Sequence, residues 1–288
     1  MSDPRTSTFV DVIDLSPTDQ PNRFAGPPAP ERGGRVYGGQ LLAQAVAGAY
    51  RTIEDDRRIH SLHAYFLRPG DISAPTYWDV DIVRDGRSFA TRSVTGHQHD
   101  REVFHLIASF HVPEAGFDYQ PVPDYDVGGL PTAEEVDMSY VDFSHQQPGF
   151  DPESWFGQDR PMEIRYLNPP APGIATDAPQ LTWTRIDGPL PEAPHLHDAG
   201  LAYLADSTLV DHVLLPHGER WHDPRLTGAS LDHAMWFHRT VSADEWLLYD
   251  QRVAATGGAR GLATGRFYTA AGELVATCVQ EGLIRWSP

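Results

Sequence analysis

The sequence predicts an α+β fold in two similar halves, each a long antiparallel sheet wrapped around one buried helix. Three observations support this. The segment Gln40–Tyr50 has apolar or small residues on nearly every side and no charged residue, as in a helix enclosed by protein. Runs of strand-forming residues follow it. The same order of helix and strands then occurs again in the second part of the chain.

Composition limits the classes of function. The 288 residues provide enough chain for one large domain or two ordinary ones. The net charge of −18 argues against general binding to nucleic acid or to an anionic membrane surface. Cys278 is the one cysteine, which excludes an intrachain disulfide and favours a reducing compartment. Without a signal peptide or an apolar run of membrane-spanning length, we expect a cytoplasmic protein.

The first half begins with a predicted strand over Phe9–Leu15. The Pro- and Gly-rich stretch 16–35 is predicted to be a loop, with a short strand near Phe24. Gly38 and Gly39 then open the buried helix and leave its first N–H groups accessible to a polarised oxygen. The remaining runs of this half predict the strands Ser61–Leu67, Thr76–Val83, Ser88–Thr95 and Glu102–Val112.

A change of composition separates the halves. Pro, Gly, Asp and Glu dominate from residue 113 to about residue 160, apart from a short helical patch near Thr132–Met138. This length is unusual for a structureless loop, so we expect the segment to pack across the surface. We therefore divide the chain into an N-terminal unit (1–115), a connector (116–160) and a C-terminal unit (161–288).

The second half repeats the first. An apolar helix over Gly200–Pro216, with Asp206 in its middle, is predicted after two strands and before four more. The predicted strands are Met162–Leu167, Gln180–Ile186, Ala229–His238, Glu245–Val253, Arg260–Tyr268 and Glu273–Glu281.

Three pairs of short motifs match between the halves. In each pair the first motif precedes residue 105 and the second follows residue 235. The pairs are Tyr65–Arg68 with Trp236–Arg239, Arg87–Arg92 with Arg260–Gly265, and Glu102–Phe104 with Glu273–Val275. One match alone would be chance, but three in the same order indicate a duplication. A sheet wrapped round a buried helix, present twice, is a tandem (double) hotdog.

Asp206 is the first candidate for chemistry. An ionised carboxylate among apolar residues is costly to bury without partners. It could act as a general base or orient a water molecule. It could equally be a helix cap, for which the sequence Asp206-Ser207-Thr208 is well suited. The local sequence leaves both interpretations open.

Ser230 and Gln280 are the polar residues that could share such a site. Gln280 lies on an apolar strand, and its amide can donate to a water molecule while accepting from a hydroxyl. Ser230 lacks the closing glycine of a nucleophile elbow, which favours a hydroxyl that binds water over a nucleophile. The structural alternatives are a satisfied core glutamine and a solvated serine. Cys278 is predicted to be a small core residue.

No metal or cofactor is predicted. The even spacing of His212, His217 and His222 fits neither a helical pair nor a common zinc pattern. Arginines at strand ends and turns, Arg260 among them, could meet a polyphosphate. Surface ion pairing is the simpler alternative for most of them.

Several long motifs resemble the acyl-CoA thioesterase II family. The similarity extends from about Arg35 to Arg285 and is poor across the connector. The motifs that carry it are Arg35–Ala45, His60–Asp71, Leu201–Asp206, Leu231–Arg239, Glu245–Tyr249 and Val279–Gly282.

This resemblance implies a double-hotdog fold and the hydrolysis of acyl-CoA to a free acid and CoA. It places the catalytic carboxylate on Asp206, the glutamine on Gln280 and the hydroxyl on Ser230, where they would hold and activate a water molecule without an acyl-enzyme. The resemblance is also compatible with further pairing of whole chains into a dimer or tetramer.

Substrate-binding residues are predicted with the same site. Backbone N–H groups at a helix start would meet the developing oxyanion, with Gly39 and Gln40 as the more visible candidates and Asp206 and Ser207 as the others. An older assignment in the family gives a role to the histidine that matches His60. The full set of predicted binding residues is Gly38, Gly39, Gln40, His60 and Arg260.

Two other functions compete with this one. A hotdog enoyl-CoA hydratase would carry an Asp-x-Asn-Pro-x-x-His signature, and nothing after Asp206 or Asp232 matches it. A non-catalytic acyl-CoA-binding module would bind the thioester without releasing a thiol.

Overall fold

Two helices lie side by side at the centre of the molecule, and one antiparallel sheet of thirteen described strands surrounds them. The structure, a computed structural model, describes residues 8–30, 34–54, 56–136, 160–171, 173–221, 223 and 225–287. One hydrophobic core joins both helices to the inner face of the sheet. No helix in these ranges is long and apolar enough to cross a membrane.

The N-terminal half confirms the predicted helix and the four strands after it. Residues Gly39 to Ala49 are all buried, as expected for a helix without a charged face. The elements of this half are α1 (Phe9–Val12), β1 (Ser16–Pro17), β2 (Arg23–Gly26), α2 (Gly38–Tyr50), β3 (Arg58–Phe66), β4 (Thr76–Asp85), β5 (Phe89–Gln98) and β6 (Arg101–His111).

The predicted first strand over Phe9–Leu15 is wrong, because this segment begins with helix α1. Thr8 and Asp11 form a capping box in which the Thr8 side chain accepts from the Asp11 N–H and the Asp11 carboxylate accepts from the Thr8 N–H. Phe9 and Val12, three positions apart, are both buried on one helical face. The capping box and this helical spacing therefore outweigh the loosely alternating pattern that predicted a strand.

The described part of the connector lies on the sheet of the second half, as expected for a segment packed across the surface. Trp183 donates its indole N–H to the Pro131 carbonyl, and Tyr125 donates its hydroxyl to Asp250. The predicted helical patch corresponds to the 3₁₀ turn Ala133–Glu135. Met138 and the rest of 137–159 lie outside the described residues.

The C-terminal half follows the predicted order of strands around a second helix. Its elements are β7 (Met162–Tyr166), β8 (Gln180–Ile186), α3 (Pro194–Ala205), a 3₁₀ helix (Asp211–His217), β9 (Leu226–Ser230), β10 (Asp232–Phe237), β11 (Leu247–Gly257), β12 (Arg260–Tyr268) and β13 (Leu274–Trp286). The single strand predicted over Ala229–His238 is therefore two strands, which are divided at Leu231.

The helix predicted to continue to Pro216 is also corrected. Helix α3 ends at Ala205, and Asp206 is its C-terminal cap rather than a residue in its middle. The carbonyl of Ala205 accepts the Tyr249 hydroxyl at 2.7 Å, and the Thr208 hydroxyl donates to Gln251 at 2.7 Å. These tertiary hydrogen bonds satisfy the Ala205 carbonyl and the Thr208 hydroxyl at the point where the chain turns from the α-helix into the 3₁₀ helix.

The sheet has the same strand order on both sides of its centre. The path is β1-β2-β4-β5-β6-β3-β10-β13-β12-β11-β8-β7, with β9 beside β13. Counted outward from the β3–β10 pair, β6 corresponds to β13 and β5 to β12. The three motif pairs found in the sequence fall on these corresponding strands, so the duplication is visible in the topology. The boundaries of the two units stay predictions.

Candidate active site

Asp206, Ser230 and Gln280 meet at the C-terminal end of α3. The Ser230 hydroxyl donates to Oδ1 of Asp206 at 3.0 Å. The Gln280 side-chain N–H groups lie within hydrogen-bonding distance of Ser230 Oγ, at 2.8 Å, and of the same carboxylate oxygen. The sequence separations are 24 residues for Asp206 and Ser230 and 74 for Asp206 and Gln280. The three side chains are therefore close enough to contact one water molecule.

Two tyrosines fix the end of the helix that carries Asp206. Tyr37, from the first half, donates its hydroxyl to the Tyr203 carbonyl at 2.6 Å. Tyr249, from the second half, donates to the Ala205 carbonyl. The last carbonyls of a helix have no partner inside it, and these hydroxyls supply one. Sequence reasoning missed both residues; the position of Tyr37 directly before the glycine pair was the available signal.

The N-terminus of α2 faces the carboxylate of Asp206. The Gly39 backbone N–H hydrogen-bonds to this carboxylate. A Cβ atom on Gly38 would lie 2.5 Å from Oδ2 of Asp206, and one on Gly39 would collide with the Tyr203 carbonyl and the Tyr37 ring. Glycine at both positions therefore allows the positive end of α2 to approach the acid.

A register shift in the sheet directs Ser230 to the interior. Ser230 lies opposite Gly282, whereas Ala234 lies opposite Val279, so one extra residue is inserted near Leu231. Such a bulge reverses which residues face inward along a strand. Ser230 in β9 thereby shares the inner face with Gln280 of β13, although the residues that follow it in β10 have the opposite alternation.

Burial controls the protonation of the site. Burial raises the pKa of Asp206 to about 6, and hydrogen bonds from Gln280, Ser230 and the Gly39 N–H oppose this rise. Burial also raises the pKa of the Cys278 thiol to about 12 and that of Tyr249 well above its usual value, so both keep their protons. Asp206 is thus the group of this cluster whose pKa lies closest to neutral pH, and its neighbours are a neutral hydroxyl and a neutral amide.

The remaining predicted binding residues make other contacts. His60 bonds to Ser109 at 2.8 Å and packs against the rings of Phe89 and His111, and burial lowers its pKa. Arg260 is exposed and forms an ion pair with Glu281 at 2.9 Å. Among the described residues, no hydrogen bond or ion pair connects His60 or Arg260 with Asp206.

The structure also shows which of the predicted oxyanion donors already have a hydrogen-bond partner. The N–H groups of Asp206 and Ser207 both bond to the Leu204 carbonyl, because they lie at a helix end rather than at a helix start. That alternative is wrong. The Gln40 N–H bonds to the Tyr37 carbonyl at 3.0 Å. Gly39 is left as the helix-start N–H directed at the cluster.

The histidines weighed for metal binding have separate environments. His212 is buried and bonds to the Thr208 carbonyl at 3.3 Å, while His217 bonds to Thr256 at 2.9 Å. His222 lies outside the described residues. Across the part of the chain that the structure describes, no three His, Cys, Asp or Glu side chains form a group that could hold a metal ion.

Comparison with known families matches both halves of the chain. Residues 27–111 match a family described as acyl-CoA thioesterase N-terminal domain. Residues 152–283 match one described as acyl-CoA thioesterase. The two matches contain α2 and α3 with the strands around them, and the second contains Asp206, Ser230 and Gln280.

Individual relatives agree with this. The chain is 37% identical to acyl-CoA thioesterase 2 of Haemophilus influenzae over 256 residues, which is 88% of each chain. It is 35% identical to the crystal structure of the acyl-CoA thioesterase II TesB2 of Mycobacterium marinum, with a TM-score of 0.75 over 96% of this chain and 97% of that one. A protein of Alicyclobacillus acidocaldarius described as having a hot dog fold superposes with a TM-score of 0.78 at 20% identity, over 98% and 99% of the two chains.

Proposed function

The chain belongs to the acyl-CoA thioesterase family, and we propose that it hydrolyses acyl-CoA through a water molecule held by Asp206, Ser230 and Gln280. The observation that carries this mechanism is the mutual contact of the three side chains, with Ser230 Oγ 3.0 Å from Asp206 Oδ1 and 2.8 Å from Gln280 Nε2. In this arrangement the carboxylate can accept a hydrogen bond from one water molecule while the hydroxyl and the amide orient it, which leaves a lone pair of the water for the attack.

Asp206 is the general base of the proposed reaction. It removes a proton from the bound water while the water oxygen attacks the thioester carbonyl carbon. The carbonyl π bond opens, and negative charge develops on its oxygen. When the carbonyl re-forms, the C–S bond breaks and Asp206 returns the proton to the leaving sulfur. The products are a free acid and CoA with its thiol.

The N-terminus of α2 is the proposed site of charge stabilisation. The Gly39 N–H faces the cluster, whereas the Gln40 N–H is already engaged within the helix turn. Gly39 would transfer its hydrogen bond from Asp206 to the substrate oxygen as the carboxylate receives its proton. The helix dipole favours negative charge at the same place.

Replacement of the base tests the mechanism. Asp206→Asn should lower kcat by roughly 10²-fold or more, because removal of a general base typically has an effect of this size. Asp81→Asn changes an exposed carboxylate on β4 and is the matched control. A thiol reagent follows CoA release from acyl-CoA of several chain lengths, and circular dichroism checks the fold. Unchanged hydrolysis by Asp206→Asn would end this mechanism.

The thiol assay, combined with measurements of enoyl absorbance and of acyl-CoA binding, distinguishes the competing functions. Loss of enoyl absorbance from crotonyl-CoA without thiol release would indicate a hydratase. Saturable binding of acyl-CoA without thiol release would indicate a binding module. The cytoplasmic location and the assembly of whole chains into a dimer or tetramer stay predictions, which fractionation and light scattering can check.

A further inference from the structure

His233 and Gln280 each carry buried polar atoms without a hydrogen-bond partner among the described residues. His233 is 1% exposed, and both of its ring nitrogens are unpaired. Gln280 is 0% exposed, and its side-chain oxygen Oε1 is unpaired although its N–H groups are bonded to Asp206 and Ser230. Buried polar groups are rarely left unpaired, so two of them near one site require an explanation.

The sheet register places these two side chains against each other. Ala234 lies opposite Val279, so His233 lies opposite Gln280 one residue further along the same antiparallel pair. The alternation after the bulge turns His233 inward together with Met235, which is 0% exposed. The neighbour of Gln280 on its other side is Ala263, which has no polar side chain. His233 is thus the cross-strand neighbour that can meet Oε1.

We propose that His233 is a positioning residue that donates a ring N–H to Oε1 of Gln280 and keeps the amide N–H groups directed at Asp206 and Ser230. This inference rests on the proposed role of Gln280. An amide can turn its oxygen and nitrogen ends with little change in shape. The ionised Asp206 holds the nitrogen end toward itself. That restraint disappears when Asp206 takes up a proton during turnover, and a donor behind the amide then preserves its orientation.

The surroundings keep His233 neutral. Burial lowers the pKa of this imidazole to about 4, and its interaction with the Gln280 side chain opposes this fall without reversing it. At neutral pH one ring nitrogen therefore carries a proton and the other does not. The titratable groups around the site include Asp206 at the end of α3, Tyr37 before α2, Tyr249 on β11 and Cys278 on β13. Tyr249 and Cys278 keep their protons. A change in the pH–rate profile near pH 6 therefore reports on Asp206.

Substitution of His233 should separate orientation from packing. His233→Leu removes the donor and should lower kcat by about 10-fold to 100-fold with KM changed less than about threefold, because a misplaced group typically has an effect of this size. It should also move the acid limb of the profile to higher pH, since weaker donation from Gln280 raises the pKa of Asp206. His233→Asn and His233→Gln place an amide donor near one or the other ring nitrogen. One of them should recover most of the lost activity.

Two further variants make the test decisive. Met235→Leu changes a fully buried residue on the same strand and face, and should keep kcat and the profile. In a double-mutant cycle, His233→Leu should have little further effect once Gln280→Leu is present. A normal profile in His233→Leu, or losses that multiply independently in the cycle, would overturn the positioning role. Full activity in Gln280→Leu would instead refute the proposed function.

A measurement on the unaltered protein covers the case in which His233→Leu does not fold. Nitrogen-15 NMR of histidine-labelled enzyme should show two buried neutral rings, because burial lowers the pKa of both His212 and His233 to about 4. The slowly exchanging N–H signal of His233 should shift in Gln280→Leu, whereas that of His212, which bonds to the Thr208 carbonyl, should not. If the only ring signals that shift belong to charged or rapidly exchanging histidines, the proposed hydrogen bond does not exist.

Discussion

The two ends of the central helix pair each enclose a carboxylate, but these carboxylates have different partners, and only Asp206 belongs to the proposed catalytic site. Where the N-terminus of α2 meets the C-terminus of α3, Asp206 has a hydroxyl, an amide and a backbone N–H as partners. At the opposite end, Asp198 accepts the Tyr50 hydroxyl at 2.5 Å and a bidentate pair from Arg58 at 2.8 and 3.1 Å. Burial lowers the pKa of the Arg58 guanidinium, whereas the hydrogen bonds and the negative charge of Asp198 raise it, and the net change is upward. A carboxylate beside a fixed cation is structural, whereas one with neutral partners can exchange a proton.

The sheet shows the same contrast. Strand β3 shifts its register against β6 between Ile59 and Ser61, just as the β9–β10 segment shifts against β13 near Leu231. The buried residues on either side of the first shift are apolar, and the residues at the corresponding places around the second shift are mostly polar. They are Ile59, Leu62, Ala108 and Phe110 in the first half, and Ser230, His233, Gln280 and Gly282 in the second. Duplication therefore supplies the shifted strand pair twice, and the polar side chains of the proposed catalytic site are present in the second copy.

The largest effect should come from closing the gap between α2 and Asp206. Gly38→Ala places a methyl group 2.5 Å from Oδ2 of Asp206, which must displace the carboxylate. We expect kcat to fall by about 10²-fold or more. Gly48→Ala is the matched control in the same helix, because its Cβ would lie 3.5 Å from Leu15 in ordinary contact. It should keep kcat and add roughly 0.5–1 kcal/mol of stability. Full kcat in Gly38→Ala would show that this close approach is unnecessary.

At the end of the helix pair that contains Asp198, a substitution should change the stability of the fold rather than kcat. Asp198→Asn leaves the Arg58 cation without its counter-charge, and breaking a buried ion pair in this way costs on the order of 3 kcal/mol. Urea unfolding should show the loss, while kcat per folded molecule stays near the wild-type value. Asp187→Asn, at an exposed carboxylate, should change stability by less than about 0.5 kcal/mol. A fall in kcat without a fall in stability would contradict the division between the two ends.

The same substitution at Asp206 should have the opposite sign. The pKa of Asp206 is about 6 in the folded protein and 3.8 ordinarily, so the unfolded chain binds fewer protons between these values and stability decreases as pH rises through this window. Removal of the charge in Asp206→Asn should therefore stabilise the fold by roughly 1–2 kcal/mol at pH 8, after allowance for partial exposure. The gain should vanish below pH 4. Denaturant titrations at both pH values measure it, and an equal effect at pH 3.5 and pH 8 would exclude this origin.

Much of the fold was readable from local patterns. The absence of any charge in Gln40–Tyr50 predicted the buried helix α2, and the alternating runs predicted most strands to within a few residues. The repeated motifs predicted the duplication because corresponding strands keep corresponding residues. The predictions failed at α1 and beyond Ala205, where capping by Thr8 and by tyrosine hydroxyls decided the outcome.

What the sequence by itself determined is most of the elements, their repetition and, through the resemblance, Asp206, Ser230 and Gln280 as the candidate catalytic residues. Only the tertiary structure shows how these three side chains come into contact and which neighbouring residues surround them. Tyr37 and Tyr249 reach the end of α3 from different halves, and His233 faces Gln280 only because the bulge at Leu231 reverses the alternation. Periodicity records which face of an element is apolar, but contacts between distant segments depend on register and on helix termini, which no local pattern encodes.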